Sequence, residues 1–440
     1  MNAPDRKPAA AGQGARRAAA GLLDAVLKGC RPLDEVIGAE PAMAALDARD
    51  RAFARLLAAT TLRRLGEIDA LLDRCLEKPL PARAAVARQA MRLGLSQLLF
   101  LNTPAHAALD GAARMLSGRA APYRGVVNAV LRRVTREGDT LRQGIDPDRV
   151  DQPDWLRESW EKAYGAATAR AISAAHRDEP PLDLTAKADP ARWAEALGAE
   201  LLPTGTLRLR EAGPVPELPG FAEGAWWVQD AAAALPVRLL ANAFDGGLTG
   251  RRAVDLCAAP GGKTAQFAAA GAHVTAVDRS EARLRRVREN LARLGLPAEV
   301  VAADAGAYRP PAPPDAVLLD APCTATGTIR RHPDIAWLKR PDDVAALAAE
   351  QSRLLDAALG MLTPGGVLVY AVCSLQPEEG PERIAAVLNT GLAERIPLSP
   401  DELPALHEAV TAEGDLRTLP CHWADRGGLD GFYAARLRRL

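Results

Sequence analysis

Short apolar segments alternate with helical segments in the second half of the chain, and this alternation constrains the fold more than any other feature. Such an order predicts a mostly parallel, doubly wound sheet with helices on both faces. Four of the apolar segments are followed by a carboxylate, at Asp255, Asp278, Asp304 and Asp320. Because ligands of such sheets bind at the carboxyl ends of the strands, we expect a ligand site there.

The loop after the first of these strands contains Cys257, Ala258, Ala259, Pro260, Gly261, Gly262 and Lys263. Its two glycines allow a ligand to approach the backbone, and the helix that follows directs free N–H groups to the same place. A phosphate-binding loop needs glycine at the position of Cys257, so ATP is disfavoured. The dinucleotide glycine pattern is also absent. An ordinary strand-to-helix turn remains an alternative on this loop alone.

The acids favour a nucleoside ligand without phosphates. A carboxylate at the end of the second strand, Asp278, can accept hydrogen bonds from both ribose hydroxyls. Asp304 could receive an adenine amino group, or it could instead cap the following helix. S-adenosylmethionine fits this pattern, and we also assign Arg283 and Asp320 to its site.

The first third of the chain shows apolar stripes three and four residues apart, interrupted by prolines, which predict a helical bundle. The formal net charge of the whole chain is zero, but residues 1–150 contain 24 Lys and Arg against 16 Asp and Glu. This local excess of +8 favours a polyanion, although arginine-rich surfaces are common without one. Candidate RNA contacts are Arg124, Arg132 and Arg133.

Four regions are predicted along the chain. Residues 1–14 are polar and Pro/Ala/Gly-rich, as in a disordered tail. Residues 15–145 form the helical bundle, residues 151–245 a small α/β connector with one helix near residues 155–176, and residues 246–440 the doubly wound domain. We expect neither a membrane span nor a signal peptide, because no apolar run is long enough.

The six cysteines are widely spaced, which predicts reduced thiols in the cytoplasm and no metal site.

Cys323 follows Asp320 by three residues, and Cys373 follows another apolar strand, so we expect both at the carboxyl edge of the sheet where the ligand binds. A thiol matters for a methyl acceptor that is a poor nucleophile, such as C5 of cytosine. Addition of a thiolate at C6 makes C5 nucleophilic, and a nearby acid such as Asp320 can hold the edge of the base.

Two sets of motifs resemble known families. Residues 98–108 and 123–133 are similar to the NusB family of RNA-binding helical domains. The loop at 255–264, the segment from Asp320 to Cys323 with residues 330–335, Cys373 with Ser374, and the ending at residues 430–434 resemble the RsmB (Sun/Fmu) branch of RNA 5-methylcytosine methyltransferases. This second resemblance implies that Cys373 is the nucleophile and that Cys323 assists release of the methylated RNA. DNA cytosine-C5 enzymes instead use the thiol that follows the proline.

The resemblance therefore implies an S-adenosylmethionine-dependent enzyme that forms 5-methylcytosine in ribosomal RNA, most simply 16S rRNA. We separately expect the protein to be a monomer. Arg330, Arg331 and His332 are further candidate RNA contacts. Alternatives are the same chemistry on tRNA or DNA, and a NusB-like RNA-binding or antitermination factor with a vestigial second domain. The complete set of acids and cysteines argues against the last of these.

Overall fold

The computed structural model describes residues 12–403 and 405–440. Most of the predicted disordered tail lies outside these residues, and the first helix begins at Gln13. The chain divides into two compact units. The helical unit ends at Glu161 and also contains Arg331–Lys339, and the sheet unit contains Lys162–Arg330 and Arg340–Leu440. The region predicted as a separate connector thus lies almost wholly inside the sheet unit.

The helical unit is an all-α bundle, as expected from the apolar stripes. Its core is formed by small and branched side chains such as Ala18, Leu22, Leu57 and Leu131, all fully buried. Helix α8 is amphipathic, with its valines and leucines in that core and its arginines outside. The helices are α1 Gln13–Leu27, α2 Leu33–Ala39, α3 Pro41–Ala44, α4 Ala48–Arg63, α5 Leu65–Cys75, α6 Ala85–Leu99, α7 Ala105–Met115, α8 Arg124–Arg142 and α9 Pro147–Val150.

A nine-residue segment from the second half of the sequence, Arg331–Lys339, belongs to the helical unit. The indole N–H of Trp337 donates to the carbonyl of Leu62 at 2.9 Å, and the Asp334 carboxylate accepts from the backbone N–H of Leu33 at 2.9 Å. Leu338 packs against the helical core. The predicted doubly wound domain over residues 246–440 is therefore interrupted by a segment that contributes to the bundle.

The sheet unit begins with a small α/β layer. The helix expected near residues 155–176 is two helices, because Gly165 between them has a positive φ of 82°. A four-stranded antiparallel sheet in the order β2-β3-β1-β4 follows. The elements are α10 Asp154–Tyr164, which spans the boundary between the units, α11 Ala166–His176, β1 Leu182–Ala186, α12 Pro190–Leu197, β2 Glu200–Leu201, β3 Leu207–Leu209 and β4 Trp226–Val228.

The main sheet has eight strands, and its mostly parallel, doubly wound character is as predicted. Strands β7-β6-β5-β8-β9 are parallel neighbours, and β12 pairs antiparallel with β9 and carries β10 and β11. The strands of this sheet are β5 Arg252–Leu256, β6 His273–Asp278, β7 Glu299–Ala302, β8 Ala316–Asp320, β9 Val367–Val372, β10 Ala393–Arg395, β11 Leu416–Thr418 and β12 Phe432–Arg439. The helices in this part of the sequence are α13 Leu235–Ala241, α14 Gly262–Ala269, α15 Glu281–Leu294, α16 Ile335–Leu338, α17 Pro341–Met361 and α18 Pro381–Leu388, of which α16 belongs to the helical unit.

Strand β9 shows why the strand sequences are apolar throughout. Val367, Val369 and Ala371 pack into the core on one face of the sheet, while Leu368 and Tyr370 pack into the core on the other. Burial on both faces requires an uninterrupted apolar run instead of an alternating one.

In the described part of the chain, no helix is both long and apolar enough to cross a membrane.

Candidate active site

Strands β8 and β9 bring the two candidate thiols together. In their parallel register Asp320 pairs with Ala371 at the carboxyl edge of the sheet. Cys323 lies three residues beyond Asp320, and Cys373 lies two residues beyond Ala371. The register thus places both cysteines in adjacent turns at the edge where ligands of such sheets bind, as the sequence predicted.

The glycine-containing loop joins β5 to α14. Gly261 lies directly before α14. Its φ is 100°, and residues with an L side chain rarely adopt such a backbone conformation. A Cβ there would also approach Cγ1 of Val287 to 3.1 Å. Cys257 too has a positive φ, of 62°. The backbone conformation therefore favours glycine at position 261, and the packing of α15 leaves little room for a Cβ there.

Asp278 ends β6, and its side chain is 2% exposed. One carboxylate oxygen accepts from the backbone N–H of Ser280 at 2.9 Å, and the other accepts from that of Ala259 at 3.2 Å. Arg283 lies 3.2 Å from the same carboxylate and donates to the Ala259 carbonyl at 2.7 Å. Asp278 and Arg283 thus fix the loop, and a role for both in cofactor binding stays a prediction.

Asp255 lies inside β5 and is fully buried. One carboxylate oxygen accepts from the Thr264 hydroxyl at 2.5 Å, while Oδ1 has no hydrogen-bond partner. Burial raises the pKa of Asp255 to about 7. The site therefore contains a buried polar atom that is not satisfied by the chain itself.

The raised pKa of Asp255 predicts a pH dependence of stability. An ordinary Asp in the unfolded chain releases its proton near pH 4, whereas the native group holds it until about pH 7. Over that window the native state binds more protons, so the contribution to stability falls as pH rises. We expect the wild type to lose on the order of 2 kcal/mol more than Asp255→Asn between pH 5 and pH 7.5 in urea unfolding. Equal losses in the two proteins would contradict this assignment.

Asp304 lies two residues beyond β7 and is exposed. Its Oδ1 accepts from the backbone N–H groups of Gly306 at 2.8 Å and Ala307 at 3.1 Å. Arg353 forms a bidentate pair with the same carboxylate, at 2.9 and 3.0 Å. The hydrogen bond from Arg353 is the main reason that the pKa of Asp304 is lowered. These N–H groups belong to a turn, and no helix lies between β7 and β8, so the expectation that Asp304 caps a helix is wrong. Contact of Asp304 with adenine stays a prediction.

Lys263 joins the loop to the end of β8. Its ammonium donates to Oδ2 of Asp320 at 2.8 Å. Burial lowers the pKa of Lys263, but the charge and hydrogen bond of Asp320 and the charges of Asp255 and Cys373 leave that pKa above its usual value. A charged lysine, a carboxylate and a thiol therefore lie together beside the predicted cofactor loop.

The Sγ atoms of Cys323 and Cys373 are 3.5 Å apart. Hydrogen bonding to Cys373, and then burial, raise the pKa of Cys323 well above its usual value. Burial, with the nearby carboxylates, raises the pKa of Cys257 to about 12. Near neutrality Cys257 is therefore a protonated thiol, consistent with a packing role, and Cys323 can donate its S–H to Cys373.

Backbone hydrogen bonds hold together the two thiol turns, which are the turn after β8 that contains Cys323 and the turn after β9 that contains Cys373. The N–H of Gly327 donates to the carbonyl of Cys373 at 2.9 Å, and the N–H of Gly431 donates to the carbonyl of Gly327 at 2.8 Å. A Cβ on Gly327 would lie 2.0 Å from the Gly431 oxygen. The motif near the end of the chain thus contributes to the site through a close backbone contact.

Comparison with known proteins agrees with this geometry. Residues 249–438 match the family model described as 16S rRNA methyltransferase RsmB/F, and residues 13–136 match the NusB family. A Pseudomonas putida protein named ribosomal RNA small subunit methyltransferase B is 40% identical, with 97% of this chain and 98% of the relative covered. The chain belongs to the RsmB/F family. This assignment confirms the S-adenosylmethionine-dependent methyltransferase expected from the sequence.

Two further relatives support the RsmB/F assignment. The protein of the same name from Vibrio cholerae is 37% identical, with 89% of this chain and 90% of the relative covered. A methyltransferase homolog from Pyrococcus horikoshii, whose crystal structure is known, is 26% identical in sequence and superposes with a TM-score of 0.53. The match covers 70% of this chain and 99% of the homolog. The solved structure spans less of this chain than the bacterial relatives do.

Gly327→Ala is expected to destabilise this RsmB/F-family chain by about 3 kcal/mol or more, because the added methyl group overlaps backbone that cannot move independently. Thermal unfolding would measure the loss. Gly360→Ala is the matched control, since Gly360 lies in α17 with nothing within 4 Å of an added Cβ. That variant should be neutral or slightly stabilised. Similar melting temperatures for the two variants would contradict the close contact.

The structure separates the candidate RNA contacts after Ile329. Arg330 is 2% exposed, and its Nε lies 3.1 Å from the Asp430 carboxylate. The predicted RNA contact at Arg330 is therefore corrected to an internal ion pair. Arg331 and His332 lie in the helical unit, where Nδ1 of His332 is 3.3 Å from Asp34. Their contact with RNA stays a prediction.

The arginines of α8 are more accessible. Arg124 and Arg132 are exposed, although Arg124 also donates to the carbonyl of Leu116 at 2.7 Å. Arg133 is half-buried and lies 3.1 Å from Glu137. Arg132 thus has the most available guanidinium of the three for a phosphate.

Two site residues were missed by sequence reasoning. Glu379 and Gln351 are fully buried and contact the residues beside both thiols. Glu379 follows another glutamate in the motif after Cys373, so the local sequence does not distinguish which of the two is internal.

Among residues 12–403 and 405–440, no group of three or more His, Cys, Asp or Glu is arranged to hold a metal ion.

Proposed function

We propose that this chain methylates C5 of a cytosine in small-subunit ribosomal RNA, with Cys373 as the nucleophile that adds to C6. The observation that carries the proposal is the pair of thiols 3.5 Å apart, at the same strand edge as the bonded Lys263 and Asp320. Methyl transfer to oxygen or nitrogen needs no thiol, whereas C5 of cytosine requires covalent activation.

The residues at the strand edge fit S-adenosylmethionine. Gly261 provides a left-handed turn at the start of α14, Asp278 is a carboxylate at the end of β6, and Asp255 retains an unsatisfied buried oxygen. The residues assigned to hold the cofactor are those of the loop together with Asp278, Arg283, Asp304 and Asp320. When bound, S-adenosylmethionine supplies an electrophilic methyl group carried on a sulfonium.

The proposed reaction begins with attack of the Cys373 thiolate on C6 of the cytosine. The C6–S bond forms, the ring double bond shifts, and C5 becomes nucleophilic. After C5 has received the methyl group, its proton passes to solvent water, the C5–C6 double bond re-forms, and the C6–S bond breaks so that its electron pair returns to the Cys373 sulfur. Asp320 holds the N3 and N4 edge of the ring during this sequence, and Lys263 keeps the carboxylate in place at 2.8 Å.

The contacts of the two thiols support different roles for them. The two sulfurs lie 3.5 Å apart, so each is within reach of a proton held by the other, and the resemblance to the RNA 5-methylcytosine methyltransferases assigns the attack to Cys373. The Lys263 ammonium adds a positive charge near the same sulfur. We therefore propose Cys373 for the attack and Cys323 for release of the product.

RNA recognition is assigned to both units. Arg124, Arg132 and Arg133 would contact phosphates, which position the RNA without reading its sequence. The target base would be flipped out of its stack to reach Cys373. The name shared by the bacterial relatives supports the small subunit as the source of the RNA. We propose a monomer that acts in the cytoplasm without a metal ion.

The proposal is tested by methyl transfer from labelled S-adenosylmethionine, followed by nuclease digestion and mass spectrometry of the nucleosides. Unmodified 16S rRNA, partly assembled small subunits, tRNA and DNA are offered separately. We expect labelled 5-methylcytidine only with 16S rRNA or the small subunit. Label in tRNA or DNA alone, or in a nucleoside other than 5-methylcytidine, would overturn the proposal.

A further inference from the structure

Glu379 is a fully buried carboxylate between the two thiol turns. Its Oε1 accepts from the backbone N–H of Thr324 at 2.8 Å and from the Gln351 amide at 3.1 Å. Its Oε2 accepts from the hydroxyls of Thr324 and Ser374. Four donors therefore satisfy a carboxylate that would otherwise be costly to bury.

Two partners of Glu379 are the residues that directly follow the two cysteines in the sequence. Thr324 follows Cys323, and Ser374 follows Cys373. The two hydroxyls also lie 3.1 Å from each other. Gln351, held by Glu379, donates to the carbonyl of Pro322 at 2.9 Å. One side chain thus connects both sides of the Cys323 turn to the Cys373 turn.

We propose that Glu379 is a positioning residue that sets the distance and orientation of the two thiols. The inference rests on the proposed function, since it assigns Glu379 to the reaction of Cys373 and Cys323. Cys373 must approach C6 during attack, and Cys323 must stay close to it for release. A displacement of about 1 Å at such a site costs about 100-fold in rate. A buried network with all its members paired is suited to hold this geometry.

Glu379 acts through its neighbours and not on the base. Both of its carboxylate oxygens are occupied by Thr324, Ser374 and Gln351, and its own carbonyl accepts from the Tyr370 hydroxyl at 2.6 Å. The side chain is fully enclosed. These contacts leave no oxygen directed at a substrate, which separates Glu379 from Asp320.

Glu379→Gln tests the proposal in the full-length protein. An amide nitrogen cannot accept the hydrogen bonds that one carboxylate oxygen now receives, so the two turns lose part of their connection. The rate of covalent adduct formation is measured with RNA containing 5-fluorocytidine, whose C5 fluorine prevents release. We expect this rate to fall at least about tenfold, with little change in the affinity for S-adenosylmethionine or in KM for RNA. Glu379→Asp, which keeps the carboxylate, should recover part of the rate.

Glu402→Gln is the matched control, because Glu402 is a largely buried carboxylate bound to Arg436 and Asn242 and contacts neither thiol turn. It should form the adduct at the wild-type rate. In a double-mutant cycle, Glu379→Gln should have a smaller effect when Ser374→Ala is already present. A wild-type adduct rate for Glu379→Gln, or fully additive effects, would overturn the proposal.

Two further variants keep the test decisive if Glu379→Gln does not fold. Ser374→Ala and Thr324→Val each remove one hydroxyl donor and leave the carboxylate in place. Each should slow adduct formation, and wild-type rates in both would overturn the positioning role. Failure of the proposed function is distinguishable, because the wild-type protein itself would then form no adduct and no 5-methylcytidine.

Discussion

Cys373→Ala is expected to abolish both 5-methylcytidine formation and the covalent RNA adduct, with a loss of rate of at least about 10⁴-fold. Alanine has no lone pair to add to C6, so C5 is never activated. Cys373→Ser should behave similarly, because a hydroxyl is not ionised near neutrality. Labelled methyl incorporation and denaturing gels of protein with 5-fluorocytidine RNA measure the two outcomes.

Cys421→Ala is a suitable control for removal of a thiol from the sheet unit. Burial raises the pKa of Cys421, which lies after β11 and outside the two thiol turns. This variant should retain wild-type turnover. If Cys373→Ala continued to turn over while Cys323→Ala did not, the nucleophile would be Cys323, as in the enzymes that use the thiol after the proline.

Cys323→Ala is expected to leave attack and methyl transfer largely intact but to trap the methylated RNA on the protein. The reason is that Cys323 lies 3.5 Å from Cys373 and holds its proton near neutrality, so it is placed to assist the departure of that sulfur. We expect a covalent complex on denaturing gels with unmodified RNA, and turnover reduced by about 10²-fold or more.

The same experiment contains its own control. The Cys323→Ala/Cys373→Ala double variant should form no complex, since the bond to RNA is made by Cys373. Release of product from Cys323→Ala at the wild-type rate would contradict the assigned role. A complex that persists in the double variant would instead show that another residue makes the bond.

The main sheet and its ligand edge were predictable because their signals are local. The apolar runs that end at Asp278 and Asp320 report both the strands and the edge where they end, whereas Asp255 lies one residue before the end of its strand. The proximity of Cys323 to Cys373 follows from the parallel pairing of β8 with β9. The helical bundle was equally readable from its apolar stripes.

Features that depend on distant partners were not predictable. Arg330 resembles a surface arginine in the sequence, and its partner Asp430 is 100 positions away. The buried carboxylate of Glu379 is hydrogen-bonded by Thr324, which lies 55 residues earlier in the sequence. Trp337 is consistent with any amphipathic helix, and only its contact with Leu62 places it in the bundle. Tertiary pairing over such separations leaves no periodic pattern in the sequence.

The most direct test of the central claim is a map of 5-methylcytosine in 16S rRNA from a strain that lacks this protein. The map is compared with those of the same strain carrying the wild-type gene or Cys373→Ala. We predict that at least one cytosine loses its methyl group and regains it only with the wild-type protein. If no cytosine of 16S rRNA changes, the assigned substrate is wrong.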